Sequence, residues 1–166
     1  MGGSGIFLSS VGTNVKKRYY ESMFIGEYTH KLDPKKRLAL PSKFRKELGG
    51  KAVVTRGLDN CLYVYPTKEW EKVAEKLSEL SMGQSDTRGF NRFMLSGAHE
   101  TEVDSAGRIL IPEVLKEFAD LETNVSVIGV SKHMEIWNEK KWKAYQKKIE
   151  GKSNELAEKL GVGGMI

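Results

Sequence analysis

The sequence has a single cysteine, Cys61, and only three histidines, His30, His99 and His133, all far apart. One cysteine excludes a disulfide framework within the chain and a cysteine-based zinc site. No apolar run approaches the roughly 20 residues that cross a bilayer as a helix. There is no Gly-rich phosphate loop between a strand and a helix, and no Ser/His/Asp or Cys/His constellation. The expectation is a protein that is not an enzyme, with no metal, no cofactor, no small-molecule substrate and no membrane. Cys61 sits in an apolar stretch and reads as a buried structural thiol.

What is present is a globular composition, 39% hydrophobic and 30% charged over 166 residues. The net charge of +5 is unevenly spread. Residues 23–96 hold fourteen Lys/Arg against nine Asp/Glu, whereas 97–166 hold ten against twelve. Within 31–46, seven basic residues (Lys31, Lys35, Lys36, Arg37, Lys43, Arg45 and Lys46) face one acid, Asp33. Such clustering suggests a polyanionic partner. Residues 1–22, rich in Gly and Ser, are expected to be a disordered leader or the remnant of an added sequence. The alternative is a basic arm (Lys16, Lys17 and Arg18) that follows nucleic acid.

The chain repeats itself. HKLDPKKRLALPSKFRKEL (30–48) lies over TEVDSAGRILIPEVLKEFA (101–119) at a spacing of 71. Asp33 meets Asp104, Arg37 meets Arg108 and Pro41 meets Pro112. After a one-residue insertion, Leu62-Tyr63-Val64-Tyr65 lies over Met134-Glu135-Ile136-Trp137, and Trp70 over Trp142. Two copies indicate a duplicated unit with internal pseudo-symmetry.

Each unit reads as a strand (27–32; 98–103), a turn (33–37; 104–108) and a short return strand. A helix opened by Pro41 or Pro112 follows, stopped in the first copy by Gly49-Gly50. A second hairpin comes next, and then a helix capped by Thr67 or Asn138. The linker 81–96 is expected to be helical after Asp86, with Phe90, Phe93 and Met94 inward and Arg88 and Arg92 outward. Trp70, Val73, Ala74, Leu77 and Leu80 form one helical stripe; Trp142, Tyr145 and Ile149 form its counterpart. Both tryptophans are expected in the core or an interface. Glu100, Glu102 and Asp104 alternate and read as a solvated strand face, not a cation site. Neither unit has many apolar positions, so the copies are expected to interlock and bury their hairpins against each other.

Arg and Lys on a hairpin tip reach phosphates and base edges, and a two-stranded ribbon fits the major groove. Lys35, Lys36 and Arg37 lie at the first tip, with Lys43, Arg45 and Lys46 on the helix that follows. Asp33 and Asp104 are positioned to fix their turns, and Gly107 supplies freedom for positive φ. A lone Asp-x-x-x-Arg pattern carries little information. Two in register, each four residues before a Pro-started helix, carry much more.

MFIGEYTHKLDPKKRLALPSKFR and RGFNRFMLSGAHETEVDSAGRILIP together resemble the MraZ family, relatives of the AbrB-type regulators, over about residues 23–149. The resemblance implies an α+β fold. Tandem AbrB-like swapped-hairpin repeats would form an interlocked β-barrel-like core with short flanking helices. On this reading 23–80 is the first repeat, 81–96 the helical linker, 97–149 the second repeat and 150–166 a tail. The resemblance also implies ring-like homo-oligomers in the cytoplasm, associated with the nucleoid. It implies sequence-specific binding to double-stranded DNA at promoter direct repeats, repressing the protein's own division and cell-wall operon. The alternative is an oligomeric interaction protein of the AbrB-like antitoxin or RNA-binding type.

The positions carried over are Asp33, Lys35, Arg37, Asp104 and Arg108. One departs: the family usually has Gly before the first Arg, and here that residue is Lys36, which leaves open a different turn or an added phosphate contact. The charge count favours the first turn as the main DNA contact, with Arg108 in support.

Overall fold

In the computed structural model, which describes residues 23–166, each copy runs through the same series of elements. The readings of 1–22 as a leader or a basic arm lie outside the described residues. The first copy holds β1 (Phe24–Lys31), β2 (Arg37–Ala39), α1 (Ser42–Leu48), β3 (Lys51–Arg56), β4 (Leu62–Pro66) and α2 (Thr67–Glu79). A helix, α3 (Ser85–Ser96), links it to the second. The second copy holds β5 (His99–Glu102), β6 (Arg108–Leu110), α4 (Glu113–Phe118), β7 (Asn124–Ser131), β8 (Met134–Asn138) and α5 (Glu139–Glu150), followed by α6 (Ser153–Leu160).

Local chemistry sets most boundaries. Pro41 and Pro112 stand just before α1 and α4, with φ −51° and −57°. The fixed ring angle of proline suits that entry. Gly49, at φ 71°, ends α1. Asn138 caps α5, its side-chain oxygen accepting from the Lys141 N–H at 3.1 Å. Thr67 does not cap α2: it is the first helical residue, and Pro66 stands before it without a side-chain cap.

The antiparallel sheet has the order β1-β7-β8-β4-β3-β5. Each lead-in strand pairs with the other copy: β1 with β7, and β5 with β3. The copies are thus interlocked. At the centre β4 pairs with β8, Leu62 opposite Ile136 and Val64 opposite Met134. These pairs exchange under the spacing of 72, so a pseudo-two-fold axis passes between Tyr63 and Glu135. A second ribbon, β2 with β6, sets Leu38 opposite Ile109 on the same axis. The edge strands β1 and β5 each lead through a turn into this ribbon, which ties the two open edges of the sheet together at one end.

The core is the duplicated apolar set. Leu38 and Ile109, Leu40 and Ile111, and Phe44 and Leu115 are all 0% exposed. Burying each such side chain contributes about 1.5–3 kcal/mol. The rings of Phe24 and Tyr28 each meet Phe44 edge-on at 5.2 Å. A smaller cluster of Cys61, Ile128, Trp137 and Trp142 fills the opposite face of the sheet. Cys61 is fully buried, and burial, helped by the Glu135 charge, pushes its thiol pKa up.

The linker is helical, with Met94 and Asn91 buried. Phe90 is exposed, contrary to expectation. The inward stripe runs through Asn91 and Met94, where the Asn91 amide donates to the Leu77 carbonyl and the Thr55 hydroxyl to that of Met94. Phe90 lies at the margin of that stripe, stacked on Phe93. Arg88 does not simply point outward either: it folds back and donates to the carbonyls of Met82 and Gly83. Leu80 lies one residue past the end of α2 and is exposed.

Candidate nucleic-acid interface

The two Asp-x-x-x-Arg turns have one geometry. Asp33 Oδ1 accepts from the backbone N–H groups of Lys35 (2.9 Å) and Arg37 (2.8 Å), and Oδ2 accepts from Arg37 Nε at 2.7 Å. Asp104 does the same with Ala106 (3.0 Å), Arg108 (2.9 Å) and Arg108 Nε (2.8 Å). The N–H of the arginine four residues on, and then its guanidinium, hold each carboxyl below the usual carboxylate range. Both turns place the residue before the arginine in the left-handed region, Lys36 at φ 61° and Gly107 at φ 74°. The lysine therefore preserves the turn, at a cost of roughly 1–2 kcal/mol for a side chain in that conformation.

The ribbon between the turns sets the direction of the arginines. Leu38 and Ile109 are fully buried, so their strand neighbours Arg37, Ala39, Arg108 and Leu110 face outward. Arg37 is opposite Leu110, and Arg108 is opposite Ala39. The two arginines are therefore diagonal neighbours on one face, with Cα atoms about 7–8 Å apart. Among the described residues, each guanidinium is hydrogen-bonded only through Nε, so its terminal nitrogens have no partner there, and each arginine side chain is about a third exposed. Two further backbone bonds lock the turns reciprocally: the Leu40 N–H donates to the Gly107 carbonyl at 3.0 Å, and the Ile111 N–H to the Lys36 carbonyl at 2.8 Å.

Each short helix sends a cation to the other copy's turn. Arg45 of α1 donates through Nε to the Leu40 carbonyl at 2.8 Å and crosses over Gly107. A Cβ on Gly107 would fall 2.2 Å from that Nε. The second turn, neutral along Ser105-Ala106-Gly107, thus gains a positive charge in space. Burial, and then the Arg45 charge, lower the pKa of nearby His30. At the first turn, Lys36 Nζ lies 3.1 Å from Glu113 Oε2, and Lys116 Nζ lies 3.9 Å from Glu113 Oε1. Lys35 and Lys43 stand at exposed positions.

The structure therefore gathers Asp33, Lys35, Lys36, Arg37, Arg45, Asp104, Gly107 and Arg108 about one ribbon, with Lys43 on the helix that follows the first turn. Spacing arguments did not single out Glu113 and Lys116. The register does carry a signal for Lys116, because a shift of 71 lays it over Arg45. Glu113 lies over Ser42 and has no counterpart.

Comparison with known proteins matches the chain to one family. The family model described as "MraZ protein, putative antitoxin-like" matches twice, over residues 23–93 and 94–161. The chain is similar to the "Transcriptional regulator MraZ" of Natranaerobius thermophilus, 49% identical over 138 residues that cover 83% of this chain and 96% of that one. The protein of the same name from Heliobacterium modesticaldum is also 49% identical, with the same coverage. That from Acetivibrio thermocellus is 46% identical over 143 residues, 86% of this chain and 100% of the other. The chain belongs to the MraZ family.

Proposed function

We propose that this chain is a transcription regulator that binds double-stranded DNA in the cytoplasm, at the nucleoid, and carries no catalytic activity. The β2–β6 ribbon is the reading element. Arg37 and Arg108 point outward from it side by side, each steadied by its aspartate, and this is the observation that carries the proposal. A two-stranded ribbon fits a major groove about 12 Å wide, where arginine recognises guanine O6 and N7. Lys35, Lys36, Lys43 and Arg45 supply phosphate contacts around it. The relatives' name supports the regulatory role. The promoter direct repeats of the protein's own division and cell-wall operon are the proposed target, and repression is the proposed effect. A ring-like homo-oligomer would set several ribbons on one DNA and raise avidity without new contacts.

The experiment is a binding titration on duplex DNA from upstream of the protein's own gene, over several salt concentrations. Arg37→Ala is a clean variant, because both backbone N–H donors to Asp33 Oδ1 survive the substitution and only the guanidinium bond to Oδ2 is lost. Arg37→Ala and Arg108→Ala are each expected to weaken binding by about 5- to 150-fold, as loss of a bidentate guanine contact does. The unfolding midpoint should barely move. Wild-type affinity in both variants would overturn the assignment of the ribbon.

A further inference from the structure

We infer that Lys36 and Lys116, one from each copy, form a phosphate-binding pair beside the ribbon, and that the Glu113 carboxylate occupies it until a nucleic-acid phosphate displaces it. The inference rests on the DNA-binding reading above and adds a site to it.

The carboxylate bridges the two amines, Oε2 toward Lys36 at 3.1 Å and Oε1 toward Lys116 at 3.9 Å. A doubly held oxyanion is the arrangement a phosphate would adopt between two lysines. All three side chains are a third to a half exposed, so the bridge is weak and exchangeable. Both lysines also line a cleft of about 550 Å³, with Leu32, Pro34 and Leu121. The two acids that line that cleft, Asp33 and Glu122, are engaged elsewhere. Asp33 is bonded within its own turn, and Glu122 lies 3.7 Å from Lys140. The carboxylate that answers the two lysines is that of Glu113.

The pseudo-symmetric place provides an internal control. There Gly107 replaces Lys36, Arg45 replaces Lys116, and Ser42 replaces Glu113. That half holds one cation across its turn and no acid at the position of Glu113. The two half-sites therefore differ in kind: one stands open, and the other is closed by its own carboxylate.

The test measures full-length wild type, Glu113→Gln and Lys116→Gln on a mixed-sequence DNA duplex across a salt series. Glu113→Gln is expected to bind about two- to fivefold tighter, the equivalent of one exposed ion pair no longer broken. Lys116→Gln is expected to lower the slope of log affinity against log salt by about one. A parallel NMR titration follows the lysine side-chain amines with inorganic pyrophosphate, which reads the site without DNA. Lys36 and Lys116 signals should move, at lower pyrophosphate in Glu113→Gln than in wild type. If the duplex does not bind but these signals move as stated, the DNA reading fails and the phosphate pair stands. If the duplex binds while Glu113→Gln is no tighter and the two signals stay still, the pair is overturned and the DNA reading stands. Weaker binding by Glu113→Gln would show that the glutamate positions Lys36 for contact, which also overturns the inference.

Discussion

At the turn over 33–37 the left-handed position is filled by Lys36, and at the turn over 104–108 by Gly107. The hydrogen bonds of the two turns agree to within 0.1 Å, bond by bond. Their surroundings do not. The lysine is tied to Glu113 of α4, while the glycine lies beneath Arg45 of α1. Each copy thus completes the electrostatic setting of the other's turn. Charge along the chain is therefore a poor guide to charge in space once hairpins are exchanged. The second turn reads as neutral and is flanked by a guanidinium. The first reads as strongly basic, and one of its lysines is already neutralised.

The comparison of the copies extends to their tryptophans, where the largest effect is expected. Trp142 is buried against Trp137 and Tyr145, at 5.3 and 6.2 Å between ring centres. Its counterpart Trp70 is only half-buried and leans on Tyr65 at 5.7 Å. Trp142→Ala should cost about 3–5 kcal/mol and Trp70→Ala roughly half as much, read by denaturant unfolding. Trp142→Phe should stay within about 1 kcal/mol of wild type, because the indole N–H it removes is buried and has no hydrogen-bond partner among the described residues. Equal losses from the two alanine variants would show that the copies are packed alike.

A smaller effect probes the turns directly by exchanging their residues. Gly107→Lys places a side chain at φ 74° and into the path of Arg45, and should destabilise by roughly 1–3 kcal/mol. Lys36→Gly relieves a left-handed side chain but adds backbone freedom to the unfolded chain and loses the Glu113 pair. These terms nearly cancel, and unfolding should stay within about 1 kcal/mol of wild type. A large loss from Lys36→Gly would mean that the ion pair, not the turn, fixes this end of the ribbon.

Much of this was legible in the sequence. The spacing of 71 aligned Asp33 with Asp104, Arg37 with Arg108 and Pro41 with Pro112. Sparse apolar positions in each unit pointed to interlocked copies. The partners of the interlock, β1 with β7 and β5 with β3, were not legible, because long-range pairing leaves no local pattern. The bridge from Lys36 to Glu113 was hidden for the same reason: 77 positions separate residues that meet only once the hairpins have crossed. Lys36 also hid its conformation, since nothing in a lysine announces a positive φ. Phe90 misled because a bulky apolar residue on a helix need not face the nearest core.

The smallest effect is a pH dependence that divides the copies. His30 has Thr101 as its counterpart, so one copy alone carries an imidazole at this place. Burial, and then Arg45, lower the His30 pKa from 6.5 in the folded chain. The unfolded chain then takes up the proton first as pH falls. Stability contributed by the neutral ring is complete above about 6.5 and is lost as pH drops through the folded value. Asp33 and Asp104 act lower and together. Their folded pKa values lie below 3.8, so the stability they contribute is present above about 3.8 and lost as pH falls through the folded values. Unfolding measured against pH should therefore show an upper step that His30→Thr removes and a lower step that it leaves in place. Asp33→Asn and Asp104→Asn should each reduce the lower step by a similar amount, since each carboxyl is held by an equivalent set of three donors in its own turn. If His30→Thr leaves the upper step intact, His30 is not the group that titrates there, and the asymmetry between the copies is confined to the turns.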